Sequence, residues 1–143
     1  RIGFIAGPQE YDLSNWRIDG WREAMASAGL SCDALCVRGD FGYDSGVLAA
    51  NALLDLENPP TAIIGSNDQM TLAALDAAKT RGLHIPGDVS LISFDNTPVV
   101  RFTVPELTAV DQPIAATFSK AVELLITNGD TCPSSEHLAQ LAA

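Results

Sequence analysis

Four short apolar runs alternate with stretches of helical period, and few architectures accommodate that alternation. "IGFIAG" (2–7), "CDALCV" (32–37), "TAIIGS" (61–66) and "VSLISFD" (89–95) are short and rich in β-branched or aromatic residues, as strands buried on both faces are. Between the first two, "SNWRIDGWREAMASAG" sets Ile18, Trp21, Met25 and Ala28 on one stripe. Ser14 is the expected N-cap of that helix and Gly29 its C-terminal stop. "YDSGVLAANALLDLENPP" predicts a helix starting near Asp44 or Ser45 and ended by Pro59-Pro60. "DQMTLAALDAAKTRG" is apolar on two faces and ends at Gly82. The resulting order β-α-β-α-β-α-β, with short connections, predicts an open parallel sheet wound on both sides, a three-layer αβα lobe. "NTPVVRFTVPELTAVDQP" is mixed and proline-punctuated, with no element assigned. A helix from about Ile114 to Thr127 then carries Ala115, Phe118, Ala121, Val122 and Leu125 at helical spacing, whereas "SSEHLAQLAA" has no decisive pattern.

Composition narrows the partners. Of 143 residues 47% are hydrophobic and 18% charged, the balance of a folded domain. The net charge of -10, from 18 acidic against 8 basic residues, repels a phosphate backbone and an anionic membrane surface. By itself this stretch is not expected to bind nucleic acid. No segment reaches the roughly 20 apolar residues of a membrane span, and no basic-then-apolar leader is visible. The opening "RIGFIAG" enters a strand at once, as a piece of a longer protein would. Read as extended, "SCDALCV" puts Cys32 and Cys36 about 13 Å apart, too far to bridge. With Cys132 they read as reduced thiols of a cytoplasmic protein.

In open parallel sheets, ligands bind beyond the carboxyl ends of the strands, so the residues that follow each strand are the ones that matter. They include Arg17, Phe41, Asn67 and Asp95. Asp68 is the expected N-cap of its helix and not a ligand. Asn67, one residue earlier, is then free for a site, a plain turn being its alternative. Asp95 ends an apolar strand, where a carboxylate must find donors; it either caps the turn at "NTP" or holds a polar guest. If Ser14 caps the helix, Arg17 lies in the first turn, where a cation is unfavourable by about 0.3–1 kcal/mol. A guanidinium fork aimed across the sheet edge gives that position a reason; an ion pair with Asp12 is the alternative. Phe41 is a hydrophobic lid or a platform for a ligand. G-x-G-x-x-G, the phosphate loop and the G-x-S-x-G elbow are not found, and His84 and His137 have no ligand-spaced partners. The chain is therefore expected to bind and not to catalyse, with no metal and no cofactor.

"RIGFIAGP", "R-x-x-G-W-x-x-A-M" (Arg17 to Met25), "SNDQMTLAALDAAKTRGLHIPGDVSLISFDNTP" and "PELTAVDQP" resemble the effector-binding part of lactose/galactose-repressor-type regulators. The resemblance runs over most of residues 1 to about 125. It implies the C-terminal lobe of a two-lobed, periplasmic-binding-protein-like sensor for residues 1–112. Residues 113–143 would be a crossover helix and truncated tail that pack on the other lobe; without that lobe, the helix is expected to dock on its own sheet or on a second copy. By position, Arg17 matches an arginine that grips the effector, Phe41 an aromatic that stacks on it, and Asn67 and Asp95 polar residues that bond it. Gln112 matches a hinge residue near the ligand, and Tyr11 and Leu13 fall where effector selectivity lies. The family implies a sugar, nucleoside or nucleobase as effector, DNA contacted only through a separate head domain, a homodimer and a cytoplasmic setting. A ribose-type extracytoplasmic sugar-binding protein shares the fold, and an enzyme on a doubly wound sheet is a third reading.

Overall fold

A computed structural model describes residues 1–128. The elements run β1 (Ile2–Ala6), α1 (Asp12–Ser27), β2 (Cys36–Arg38), α2 (Tyr43–Leu54), β3 (Ala62–Gly65), α3 (Asp68–Thr80), β4 (Ser90–Asp95), a 3-10 turn at Pro98–Phe102, β5 (Thr108–Asp111) and α4 (Ile114–Asn128). All strand pairs are parallel, in the order β2-β1-β3-β4-β5. The doubly wound α/β expectation therefore stands. The order reverses between β1 and β3, which defines the switch point of the sheet.

Strand alternation sends successive side chains to opposite faces. On one face Phe4 and Ala6 meet Ile18, Trp21 and Met25 of α1, and the Phe4 and Trp21 rings stack with centroids 5.8 Å apart. On the other, Ile5, Ile63 and Leu91 pack with Ala49, Ala50 and Leu53 of α2 and Met70, Ala74 and Ala77 of α3. Both faces of β1 are thus covered, which is why it reads as an unbroken apolar run. Gly29 and Gly82, at φ +66° and +73°, follow the ends of α1 and α3 in the left-handed conformation glycine adopts freely. Residues Arg1–Gln112 form one unit and Pro113–Ala143 a second. The described part of the second is α4, one residue longer than predicted.

Several local expectations need correction. Helix α1 starts at Asp12, with Tyr11 in the cap position and no side-chain cap bond. Ser14 is an interior, fully buried residue and not the cap. Ala28 is the exposed C-cap and leaves the buried stripe. Strand β2 is three residues, not six. The Ser31 hydroxyl donates to the Asp33 carboxylate (2.8 Å) and accepts the Asp33 N–H (3.0 Å), and Ala34 turns at φ 57°, so Cys32–Leu35 is a turn. Cys32 and Cys36 are free thiols there; Cys132 lies outside the described residues. Helix α2 ends at Leu54, before Pro59. Strand β5 had no counterpart in the sequence reading. It is short, pairs among the described residues only with β4 and is largely exposed, so no apolar run betrays it.

Candidate functional site

At the switch point the sheet collects its polar groups. Gly7 ends β1, and a Cβ there would lie 2.2 Å from Phe41 Cζ and 2.5 Å from Ser14 Oγ. Only glycine lets the Phe41 ring rest on the strand end. Phe41 itself turns at φ 70°. Asp40 shapes that turn: its carboxylate takes the Ser45 hydroxyl and the Gly42 N–H (2.7 Å), and both bonds hold it below the usual carboxylate range. The Tyr11 ring lies against Phe41, with centroids 5.9 Å apart and planes tilted by 57°.

Arg17 spans the neighbouring strand ends. It leaves the second turn of α1, not the first, so the dipole penalty expected for a first-turn cation is much reduced. One guanidinium nitrogen donates to the Ser66 carbonyl just beyond β3, and the other lies 3.6 Å from Asp95 Oδ1. The guanidinium carbon stands 4.3 Å over the Phe94 ring. The alternative partner Asp12 is not engaged. Gln112, just past β5, donates to the same Asp95 Oδ1. Among the described residues, Asp95 Oδ2 accepts no hydrogen bond, and the side chain is 29% exposed against 9% for Arg17.

Burial dominates the titration of this pair. It lowers the Arg17 pKa, with Asp95 acting in the opposite sense. It raises that of Asp95, partly offset by Arg17 and reinforced by the nearby Asp68 charge. The two charges face each other incompletely compensated. A guest with hydroxyl or N–H donors adds what the carboxylate lacks.

The Ser66-Asn67-Asp68 handover differs from its reading. Asn67, not Asp68, caps α3: its Oδ1 accepts the Met70 N–H (2.9 Å), while its Nδ2 donates to the Phe41 carbonyl (2.8 Å). The sequence places two good caps side by side and cannot rank them. Asp68 is 3% exposed and turned into the lobe, where Oδ1 takes the Ser93 hydroxyl (2.5 Å) and Oδ2 takes the Thr97 N–H (2.7 Å) and hydroxyl (2.6 Å).

The structure therefore brings Arg17, Asp95 and Gln112 into one bonded cluster and joins Tyr11, Phe41 and Asn67 beside it. Leu13 is 46% exposed on the first turn of α1, tied to the cluster only by its nearness to Tyr11 in sequence. Phe94, the Ser66 carbonyl and Thr97 take part without having been singled out, and Asp68 does so in place of the cap role expected of it. Strand alternation is the signal that could have found Phe94, since it sets that ring on the α1 face.

Comparison with known proteins agrees with this fold. The family described as periplasmic binding protein-like domain matches residues 1–141. The HTH-type transcriptional repressor CytR of Escherichia coli (strain K12) is 42% identical over 127 residues, 88% of this chain and 37% of that protein. Catabolite control protein A of Priestia megaterium is 36% identical, over 94% of this chain and 42% of its own length. This chain thus spans less than half of each. Among solved structures, a LacI-family regulatory protein from Chloroflexus aggregans superposes with a TM-score of 0.86 at 38% identity, over 96% of this chain and 50% of that one. A CelR–cellobiose complex superposes at 0.84 with 36% identity, over 93% and 42%. These relatives are regulators and not enzymes. The chain belongs to the periplasmic binding protein-like domain family, in the form that serves as the effector-binding domain of LacI-family regulators.

Proposed function

We propose that residues 1–112 are the C-terminal lobe of the effector sensor of a LacI-type transcriptional repressor, cytoplasmic and dimeric, whose DNA contacts belong to a head domain elsewhere in the protein. The effector is a small uncharged or weakly charged polar molecule, a sugar, nucleoside or nucleobase. The cluster of Arg17, Asp95 and Gln112 at the strand-order reversal carries this reading. It offers a guanidinium, an acceptor oxygen without a partner among the described residues and an amide within one patch. Phe41 and Tyr11 supply the flat apolar surface that a sugar ring or base stacks on. Asn67 contributes by holding the Phe41 loop, since its amide is committed to that carbonyl and to the cap. Tyr11, against the Phe41 ring, and Leu13, two residues further along the chain, tune the selectivity of the patch.

Residues 113–143 continue as the crossover segment towards the second lobe. An effector bridging two lobes favours one relative orientation and so shifts the population of DNA-binding states. The test is a thermal-shift panel of cellobiose, D-ribose, adenosine and hypoxanthine on the full-length regulator, repeated with Arg17→Ala. A panel member raises the melting temperature of the wild type, and Arg17→Ala loses that rise while operator binding falls far less. An equal loss of operator binding would show Arg17 to be structural.

A further inference from the structure

Asp68 is a buried carboxylate that takes no part in the cap and makes no hydrogen bond to Arg17, Asp95 or Gln112. It is 3% exposed, yet both its oxygens are engaged: Oδ1 by the Ser93 hydroxyl (2.5 Å), Oδ2 by the Thr97 N–H (2.7 Å) and hydroxyl (2.6 Å). Between Ser93 and Thr97 the chain does something costly. Asp95 and Asn96, neither a glycine, adopt φ of 99° and 56°, a conformation uncommon for L side chains, although Asp and Asn enter it more readily than most, and two in succession need support from their surroundings. Asp68 grips the segment on both sides of that strained pair. Asn96 Nδ2 adds a bond to Asp111 Oδ1 on β5 (3.1 Å), so the turn is anchored to α3 and to the edge strand. The left-handed turn sets how Asp95 meets Arg17 and Gln112.

We infer that Asp68 and Thr97 form a positioning lock that imposes the left-handed turn at Asp95-Asn96 and so aims the Asp95 carboxylate at the effector. This rests on the proposed function above, and it moves Asp68 from helix punctuation to effector affinity. The lock works through geometry alone: Asp68 touches no effector, and its removal lets the strained pair relax towards ordinary backbone angles and turns Asp95 away from Arg17.

The experiment uses the full-length regulator and the panel compound that raises the wild-type melting temperature most, with affinities measured by calorimetric titration. Asp68→Asn puts an amide where two donors need acceptors. It weakens binding about tenfold or more, the scale for losing hydrogen bonds to a buried charge. Thr97→Val keeps the N–H bond and deletes the hydroxyl, giving a smaller loss, and Thr97→Ser restores most of it. Faster exchange of the Thr97 amide in Asp68→Asn, without ligand, reports the opened turn directly. Arg17→Ala separates the two levels. If Arg17→Ala abolishes binding while folded Asp68→Asn and Thr97→Val keep wild-type affinity, losing only melting temperature, the lock is refuted and the site stands. If Arg17→Ala and all three other variants bind like the wild type, or no panel compound binds, site and lock fall together.

Discussion

Two polar triplets end neighbouring strands: Ser66-Asn67-Asp68 beyond β3 and Asp95-Asn96-Thr97 at the end of β4. On paper they are near equivalents, small polar residues where an apolar run stops. In the fold they diverge. In the first triplet the Asn67 and Asp68 side chains are spent inward, Asn67 on the cap and the Phe41 loop, Asp68 on Ser93 and Thr97. The second turns through two left-handed residues and leaves one oxygen of Asp95 without a partner among the described residues. The first triplet, whose amide and carboxylate are both engaged, is architecture, although the buried Ser66 hydroxyl has no partner among the described residues; the second, with an acceptor open, is the proposed site. Asp68 belongs to the first and holds the second in place.

The contrast can be broken by mutation. Asp68→Ala removes three bonds from a buried carboxylate and strands Ser93 and Thr97, so urea unfolding should show a loss of about 3 kcal/mol. A loss under about 1 kcal/mol would mean the contacts are incidental. Asn67→Ala deletes a cap and the tie to Phe41, and about 1–2 kcal/mol is expected, with faster proteolysis of the 39–42 loop as the sharper readout. Asp95→Asn is expected to move stability by no more than about 1 kcal/mol, and upwards if at all, because burial and Asp68 both oppose its charge. A large destabilisation there would make Asp95 structural after all.

The smallest effect is on pH. The folded pKa of Asp95 lies above the ordinary 3.8, so the folded state holds the proton more strongly than the unfolded chain does. Its contribution to stability is present below the ordinary value and is lost as pH rises through the folded one. Arg17 and Gln112 work against the shift, Asp68 with it. Effector affinity runs the other way, falling as acid removes the acceptor. Wild type and Asp95→Asn titrated from neutrality downwards should differ in slope only within that window.

What the sequence made legible follows from what each signal reports. Burial on both faces writes itself as the apolar run of β1, and one buried face still marks β3 and β4, so the sheet and its rim could be anticipated from composition along the chain. Edge strands carry no such mark. β5 is exposed along most of its length, and β2 competes with a serine–aspartate turn, so one was missed and the other overextended. Arg17, Asp95, Phe41 and Asn67 could be gathered at one rim from the sequence because strand ends converge in this topology. Their division of labour could not be read there, because a cap and its neighbour differ by one residue and only the three-dimensional partners rank them. The roles of Asp68 and Thr97 depend on contacts 29 residues apart, which no local pattern encodes.

The central claim is that the open oxygen of Asp95, set beside Arg17, receives the effector. Calorimetric titration of full-length Asp95→Asn with the compound that stabilises the wild type tests it most directly. The account predicts a folded protein with affinity lowered by about a hundredfold, the scale for losing a charged acceptor from a partly buried site. Wild-type affinity in that variant would contradict it.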